Sequence, residues 1–194
     1  LSINKINLVH FGSILEREYR PECTYTNSKL LVSNFLNEYN SNAIVKNLLL
    51  PNHESPLRDK RFFVREIISI FQPVIKASSN SKLKFNLLDG TTSRYWSWAP
   101  SLLGEIVEMV YRNDFHNNFY PFTTKLSLIE FIATVANLFG ISNLSINCKK
   151  TGNHNLENIT LPKIDKYAES WIKELFITEY NSRFEMDLWC KEFK

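Results

Sequence analysis

Glycine is the feature that constrains this chain most: there are five among 194 residues. Tight hairpin turns need positive φ, and glycine supplies it most cheaply. So few glycines argue against an all-β fold rich in hairpins. They bear equally on phosphate-cradling loops, where a missing Cβ lets the backbone approach the anion. No G-x-G-x-x-G and no G-x-x-x-x-G-K-[ST] occurs. On this reading a Rossmann or P-loop nucleotide site is not expected, nor any small-molecule cofactor.

Apolar periodicity points to helices. Phe63, Ile67, Ile70, Phe71 and Val74 recur at spacings of three and four within Leu57–Lys76, an amphipathic pattern that Pro73 should kink or end. Ser55-Pro56 reads as its N-cap and first residue. Ser28–Tyr39 puts Leu31, Phe35 and Leu36 on one helical stripe, and Ala43–Leu50 reads as a short helix. Pro100 opens a helix to about Tyr111. Thr123 or Thr124 caps the most apolar helix, Lys125–Phe139, and Gly140 ends it. Pro162–Tyr180 and Ser182–Phe193 are the last two.

Ser13-Ile-Leu-Glu16 has capping-box spacing and opens a short helix that Pro21 stops. Ile3–Phe11 fits either a strand or a helix. Leu83, Phe85 and Leu87 alternate with polar residues, as do Leu144, Ile146 and Cys148, so a small two-stranded sheet is possible. The expected architecture is mostly α: one domain over residues 1–194, with about seven or eight helices and a minor two-stranded β element. The chain opens on Leu1 and not Met, which reads as a piece of a longer or processed protein.

The strongest candidate surface lies in residues 57–98, which carry eight basic and three acidic side chains. Arg58, Arg61 and Arg65 share a helical face, and Tyr95, Trp96 and Trp98 follow. Trp, Tyr and Arg dominate binding hot spots. These six residues are therefore the expected docking surface for other protein subunits, in a non-enzymatic scaffold of an intracellular complex, nuclear or cytoplasmic. The alternative is nucleic-acid binding, with Lys60, Lys82, Lys84 and Arg94 neutralising phosphates and the aromatics stacking bases.

Catalytic and metal signals are sparse. His10, His53, His116 and His154 are scattered, and Cys23, Cys148 and Cys190 lack ligand spacing. No metal site and no nucleophile motif is expected. The longest uncharged apolar stretch, near Phe131–Ile141, is too short to span a membrane.

Two short segments resemble known families. Arg112-Asn113-Asp114-Phe115-His116 resembles the R-x(4–6)-H signature of the helical HEPN ribonucleases, at the shorter Arg-x3-His spacing. The resemblance implies that Arg112 and His116 polarise a phosphodiester and assist proton transfer. Ala133-Thr-Val-Ala136-Asn137-Leu138 resembles the last helix of an armadillo repeat, which implies helix-on-helix packing.

Overall fold

The computed structural model describes residues 6–17, 22–38, 43–55, 58, 62–78, 81–112 and 123–177. Among these stand five α-helices and eight strands, so the fold is α/β and the mostly α expectation is corrected. Strands β1 (Ile6–Ser13) and β2 (Ala43–Leu50) pair in parallel, with α1 (Thr24–Glu38) between them in sequence. A second sheet has the order β3 (Asn52–Glu54), β5 (Ser93–Trp98), β6 (Thr124–Ser127). A third has the order β4 (Leu83–Leu87), β7 (Leu144–Cys148), β8 (Gly152–Asn155). The helices α2 (Phe63–Lys76), α3 (Ala99–Arg112), α4 (Leu128–Leu138) and α5 (Lys166–Ile177) complete the described elements.

The glycine argument limits hairpins and says nothing against parallel strands. Those are joined by helical crossovers, which need no positive-φ turn. Ala43–Leu50 was expected to be a helix, yet it forms β2. An eight-residue run so apolar satisfies both periods, and pairing with β1 decides between them. Leu83–Leu87 and Leu144–Cys148, whose pairing the alternation leaves open, do pair, in parallel, with Leu83 opposite Leu144 and Leu87 opposite Cys148, and β8 makes the sheet three-stranded. Both strands bury alternate residues.

The α4 helix starts later than expected. Thr124–Ser127 is strand β6, and Ser127 is the cap. Its hydroxyl accepts from the Glu130 backbone N–H at 3.2 Å, while the Glu130 carboxylate accepts from the Ser127 N–H at 2.7 Å. Gly140 follows the helix at φ 67°, which a side chain would resist. Pro73 lies inside α2 without ending it, and the helix runs on to Lys76.

The main core joins α2, α4 and α5 to the second and third sheets. Phe71, Phe131, Trp171 and Phe176 are at its centre, each at most 1% exposed. Phe131 stacks on Trp96 at 5.0 Å between ring centres, and Phe71 on Phe85 at 5.4 Å. A smaller cluster of Leu48, Leu102, Ile106 and Met109 fastens α3 to β2. No described helix is long and apolar enough to cross a membrane. Ser182–Phe193 lies outside the described residues.

Candidate active site

The carboxyl ends of β1 and β2 stand side by side, with Ser13 in register with Leu50. In open α/β sheets, ligands bind beyond the carboxyl ends of parallel strands. A cleft of about 530 Å³ opens there. Gly12 and Ser13 form its floor from β1, and Leu50, Pro51, Asn52 and His53 line it from the end of β2 and from β3. Tyr25 and Lys29 line it from α1.

Tyr25 and Lys29 are four residues apart in one helix, so their side chains share a face. Lys29 Nζ donates to the Phe11 carbonyl oxygen at 3.5 Å, which ties that face to β1. A lysine ammonium has three donors, and this bond uses one. Tyr25 is half-exposed and Ser13 is buried. The Ser13 hydroxyl accepts from the Leu15 backbone N–H at 3.3 Å. Gly12 is required by contact: a Cβ there would stand 2.5 Å from Glu16 Oε1 and 2.9 Å from Leu49 Cδ2. A phenol, a hydroxyl and an ammonium around one cleft can move a proton to or from a ligand hydroxyl and stabilise charge as it develops.

Arg58 forms part of the cleft wall. It donates through Nη1 to the His53 carbonyl at 2.5 Å, lies 3.6 Å from Glu54 Oε2, and covers the Phe62 ring at 4.0 Å. Burial pushes the Glu54 carboxyl up to about 7, against the pull of Arg58 and Arg65. A second depression of about 140 Å³ shares Leu15 and Asn52 with the cleft and is bordered by Arg94 and Tyr95.

The expected docking residues are dispersed. Trp96 and Trp98 are 3% and 4% exposed, so they are core residues and not surface anchors. The Trp96 indole donates to the Leu126 carbonyl at 2.9 Å, and Trp98 stacks on Trp171 at 6.5 Å. Tyr95 stays on the surface, with Lys125 5.6 Å over its ring. Arg58 and Arg65 face the buried Glu54 instead of forming an open basic rim. Lys60 and Arg61 lie outside the described residues. Lys82 and Lys84 are exposed. Lys82 borders a separate depression with Asn143 and Asn155, while Arg94 borders the one beside the cleft. Arg112 pairs with Glu108 on the solvent side of α3, and His116 is outside the described residues.

Ser13, Tyr25 and Lys29 were not singled out from the sequence as site residues. A signal existed: a tyrosine and a lysine four apart, downstream of a serine at the end of an apolar segment. Starting the helix at Ser28 left Tyr25 outside it and hid that relation.

Parallel strands with a helical crossover and a cleft at their carboxyl ends define a Rossmann-type α/β protein. Residues 14–170 match the family model of GDP-mannose 4,6 dehydratase, and the chain belongs to that family. Solved structures agree on the fold. RMD from Pseudomonas aeruginosa, complexed with NADPH, is 12% identical with a TM-score of 0.59, over 88% of this chain and 65% of that one. dTDP-glucose 4,6-dehydratase from Bacillus anthracis, in complex with NAD, is 16% identical with a TM-score of 0.53, over 94% and 63%. UDP-N-acetylglucosamine 4-epimerase from Methanobrevibacter ruminantium, in complex with UDP-N-acetylmuramic acid, is 11% identical with a TM-score of 0.56, over 94% and 63%. The chain thus spans 63–65% of the length of these three. No curated protein matches the sequence.

Membership in an enzyme family overturns the non-enzymatic scaffold, the nucleic-acid-binding module and the HEPN-like ribonuclease. The expectation of no small-molecule cofactor falls with them, since two of these structures are complexes with NADPH and NAD. A missing glycine loop bears on one phosphate cradle and not on the fold, since β1 and β2 pair in parallel without it.

Proposed function

We propose that this chain carries the acid–base centre of an enzyme that acts on a nucleotide sugar with a nicotinamide cofactor. One observation carries the reading: in a member of this family, Ser13, Tyr25 and Lys29 line one cleft at the carboxyl end of a parallel strand pair.

The donor set suits the nicotinamide-ribose end of a dinucleotide. Lys29 has ammonium donors beyond the one on Phe11, and Tyr25 adds a hydroxyl at the same lip. A pyrophosphate cradle is not part of that set, because no glycine-rich phosphate loop occurs in the 194 residues. When bound, a nicotinamide supplies hydride acceptance and return.

The protein's own share is proton transfer and orientation. Tyr25 passes a proton from or to a sugar hydroxyl while the Ser13 hydroxyl holds the same oxygen in place. Lys29, one helical turn away, stabilises the negative charge that develops during the transfer. Arg94, beside the shared wall of Leu15 and Asn52, is suited to the diphosphate of the nucleotide sugar. An intracellular location accompanies this reading, and nothing in the family favours the nucleus.

The test is direct. The purified protein is incubated with GDP-mannose and NADP+, and the products are read by mass for loss of water. Binding of NADPH and of GDP-mannose is measured in parallel by calorimetry. The reading expects saturable GDP-mannose binding that weakens roughly tenfold or more in Arg94→Ala. Neither binding nor turnover, with either ligand or with other nucleotide sugars, would contradict it.

A further inference from the structure

Glu16 has no part in the chemistry above, yet it is buried directly beneath it, at 8% exposure. It stands in the 3-10 turn Ile14–Arg17 that follows β1. Its Oε1 accepts from the Ser13 backbone N–H at 2.5 Å, and its Oε2 accepts from the Ser33 hydroxyl at 2.5 Å. The Ser33 oxygen in turn accepts from Asn47 Nδ2 at 2.8 Å. One carboxylate therefore joins the end of β1, the turn after it, α1 and, through Ser33, β2.

The helix register gives this junction its meaning. Ser33 lies one turn beyond Lys29 and two beyond Tyr25, on the same side of α1. Holding Ser33 fixes the rotation of the face that carries Tyr25 and Lys29. Holding the Ser13 N–H fixes the strand end against which that face works. The contact is close enough to exclude a side chain at position 12. Both bonds come from neutral donors and no cation pairs with the carboxylate among the described residues, an arrangement that costs stability. Packing alone would be served as well by an apolar residue.

We infer that Glu16 is a positioning residue: a clamp that sets the Tyr25–Lys29 face of α1 against Ser13. The inference rests on the acid–base reading of that site, because the clamp matters through the groups it aligns.

The chemistry of substitution separates a clamp from a reacting group. In Glu16→Gln the amide oxygen still accepts from Ser13, and the amide nitrogen donates to Ser33. The Ser33 hydroxyl then needs a new acceptor. Asn47 Oδ1, buried and without a hydrogen-bond partner among the described residues, supplies one once that amide turns over. In Glu16→Ala both bonds are lost.

The experiment compares Glu16→Ala, Glu16→Gln and Ser33→Ala with the parent and with Tyr25→Phe. It reads nucleotide-sugar turnover and amide hydrogen exchange at Ser13 and along α1. Expected for Glu16→Ala is a kcat loss of roughly ten- to a hundredfold with KM held within about twofold, and faster exchange at Ser13 and in α1 than in α4. Glu16→Gln should restore Ser13 protection and most of kcat. Should Glu16→Ala fail to fold, Ser33→Ala reads the clamp from the helix side, and kcat should fall with KM held. Parent-like kcat and Ser13 protection in Glu16→Ala, or parent-like kcat in Ser33→Ala where only that variant folds, would overturn the inference. So would a Glu16→Gln enzyme that keeps Ser13 protected but is as inactive as Glu16→Ala, since the carboxylate would then act in the reaction itself. Full turnover in Tyr25→Phe would instead sink the acid–base reading, and the exchange data would still decide whether Glu16 holds the two elements.

Discussion

Lys29 Nζ reaches the carbonyl oxygen of Phe11, 3.5 Å away and 18 residues earlier in the chain. That bond joins a helix face to the strand whose end forms the floor of the cleft. Lys29→Met keeps the aliphatic stem and removes the ammonium. It should lower kcat by roughly a hundredfold and weaken NADPH binding in calorimetry, with the circular dichroism spectrum unchanged. Parent-like kcat and NADPH affinity would remove Lys29 from the site.

Trp96 tests the assignment of the aromatic segment to the core. It is packed against Phe131 and bonded to Leu126 O. Trp96→Ala should cost about 3–5 kcal/mol in denaturant unfolding. Tyr95→Ala, at a half-exposed neighbour, should cost at most about 1 kcal/mol. Equal costs for the two would contradict the burial assigned here.

Glu54 gives stability a pH dependence. Its carboxyl is pushed up from 4.5 to about 7 by burial, with Arg58 and Arg65 opposing. Between those values the folded protein holds a proton that the unfolded chain releases. The contribution of Glu54 is therefore fully present below about 4.5, falls as pH rises to about 7, and stays low above that. Unfolding free energies of the parent minus those of Glu54→Gln, from urea titrations at pH 5 to 8, should fall through the window and then level off. The slope is at most ~1.4 kcal/mol per pH unit. A flat difference would mean Glu54 titrates normally.

Ser127 and Glu130 close a reciprocal capping box at the start of α4. Ser127→Ala should destabilise by roughly 1 kcal/mol, and Glu130→Ala by less, with turnover unchanged. No change in the unfolding midpoint of either variant would show that tertiary packing alone defines that helix start.

Much of the fold was legible where periodicity was unambiguous. The three- and four-residue spacing from Phe63 to Val74 is α2, and the alternations at Leu83–Leu87 and Leu144–Cys148 are paired strands. It failed where an apolar run fits both periods, as in β2. It failed again where a helix turns its polar side inward. In α1 the buried residues are Thr26 and Ser33, whereas Leu31 and Phe35 are 69% and 59% exposed. That inversion turns Lys29 toward the Phe11 carbonyl and Ser33 toward Glu16 at the end of β1. A reading that sends apolar residues inward by default turns this helix the wrong way round. The aromatic cluster misled for a related reason. Three large rings in four residues suggest a hot spot, but Trp96 and Trp98 pack against Phe131 and Trp171, which lie far away in sequence.

The central claim is that Tyr25 moves the proton. The measurement is turnover of GDP-mannose with NADP+ by Tyr25→Phe against the parent, with NADPH affinity and the unfolding midpoint recorded on the same samples. The account predicts a kcat loss of about 10²–10⁴-fold, with the midpoint and GDP-mannose KM nearly unchanged. A Tyr25→Phe protein that turns over at the parent rate would contradict it and place the acid–base group elsewhere.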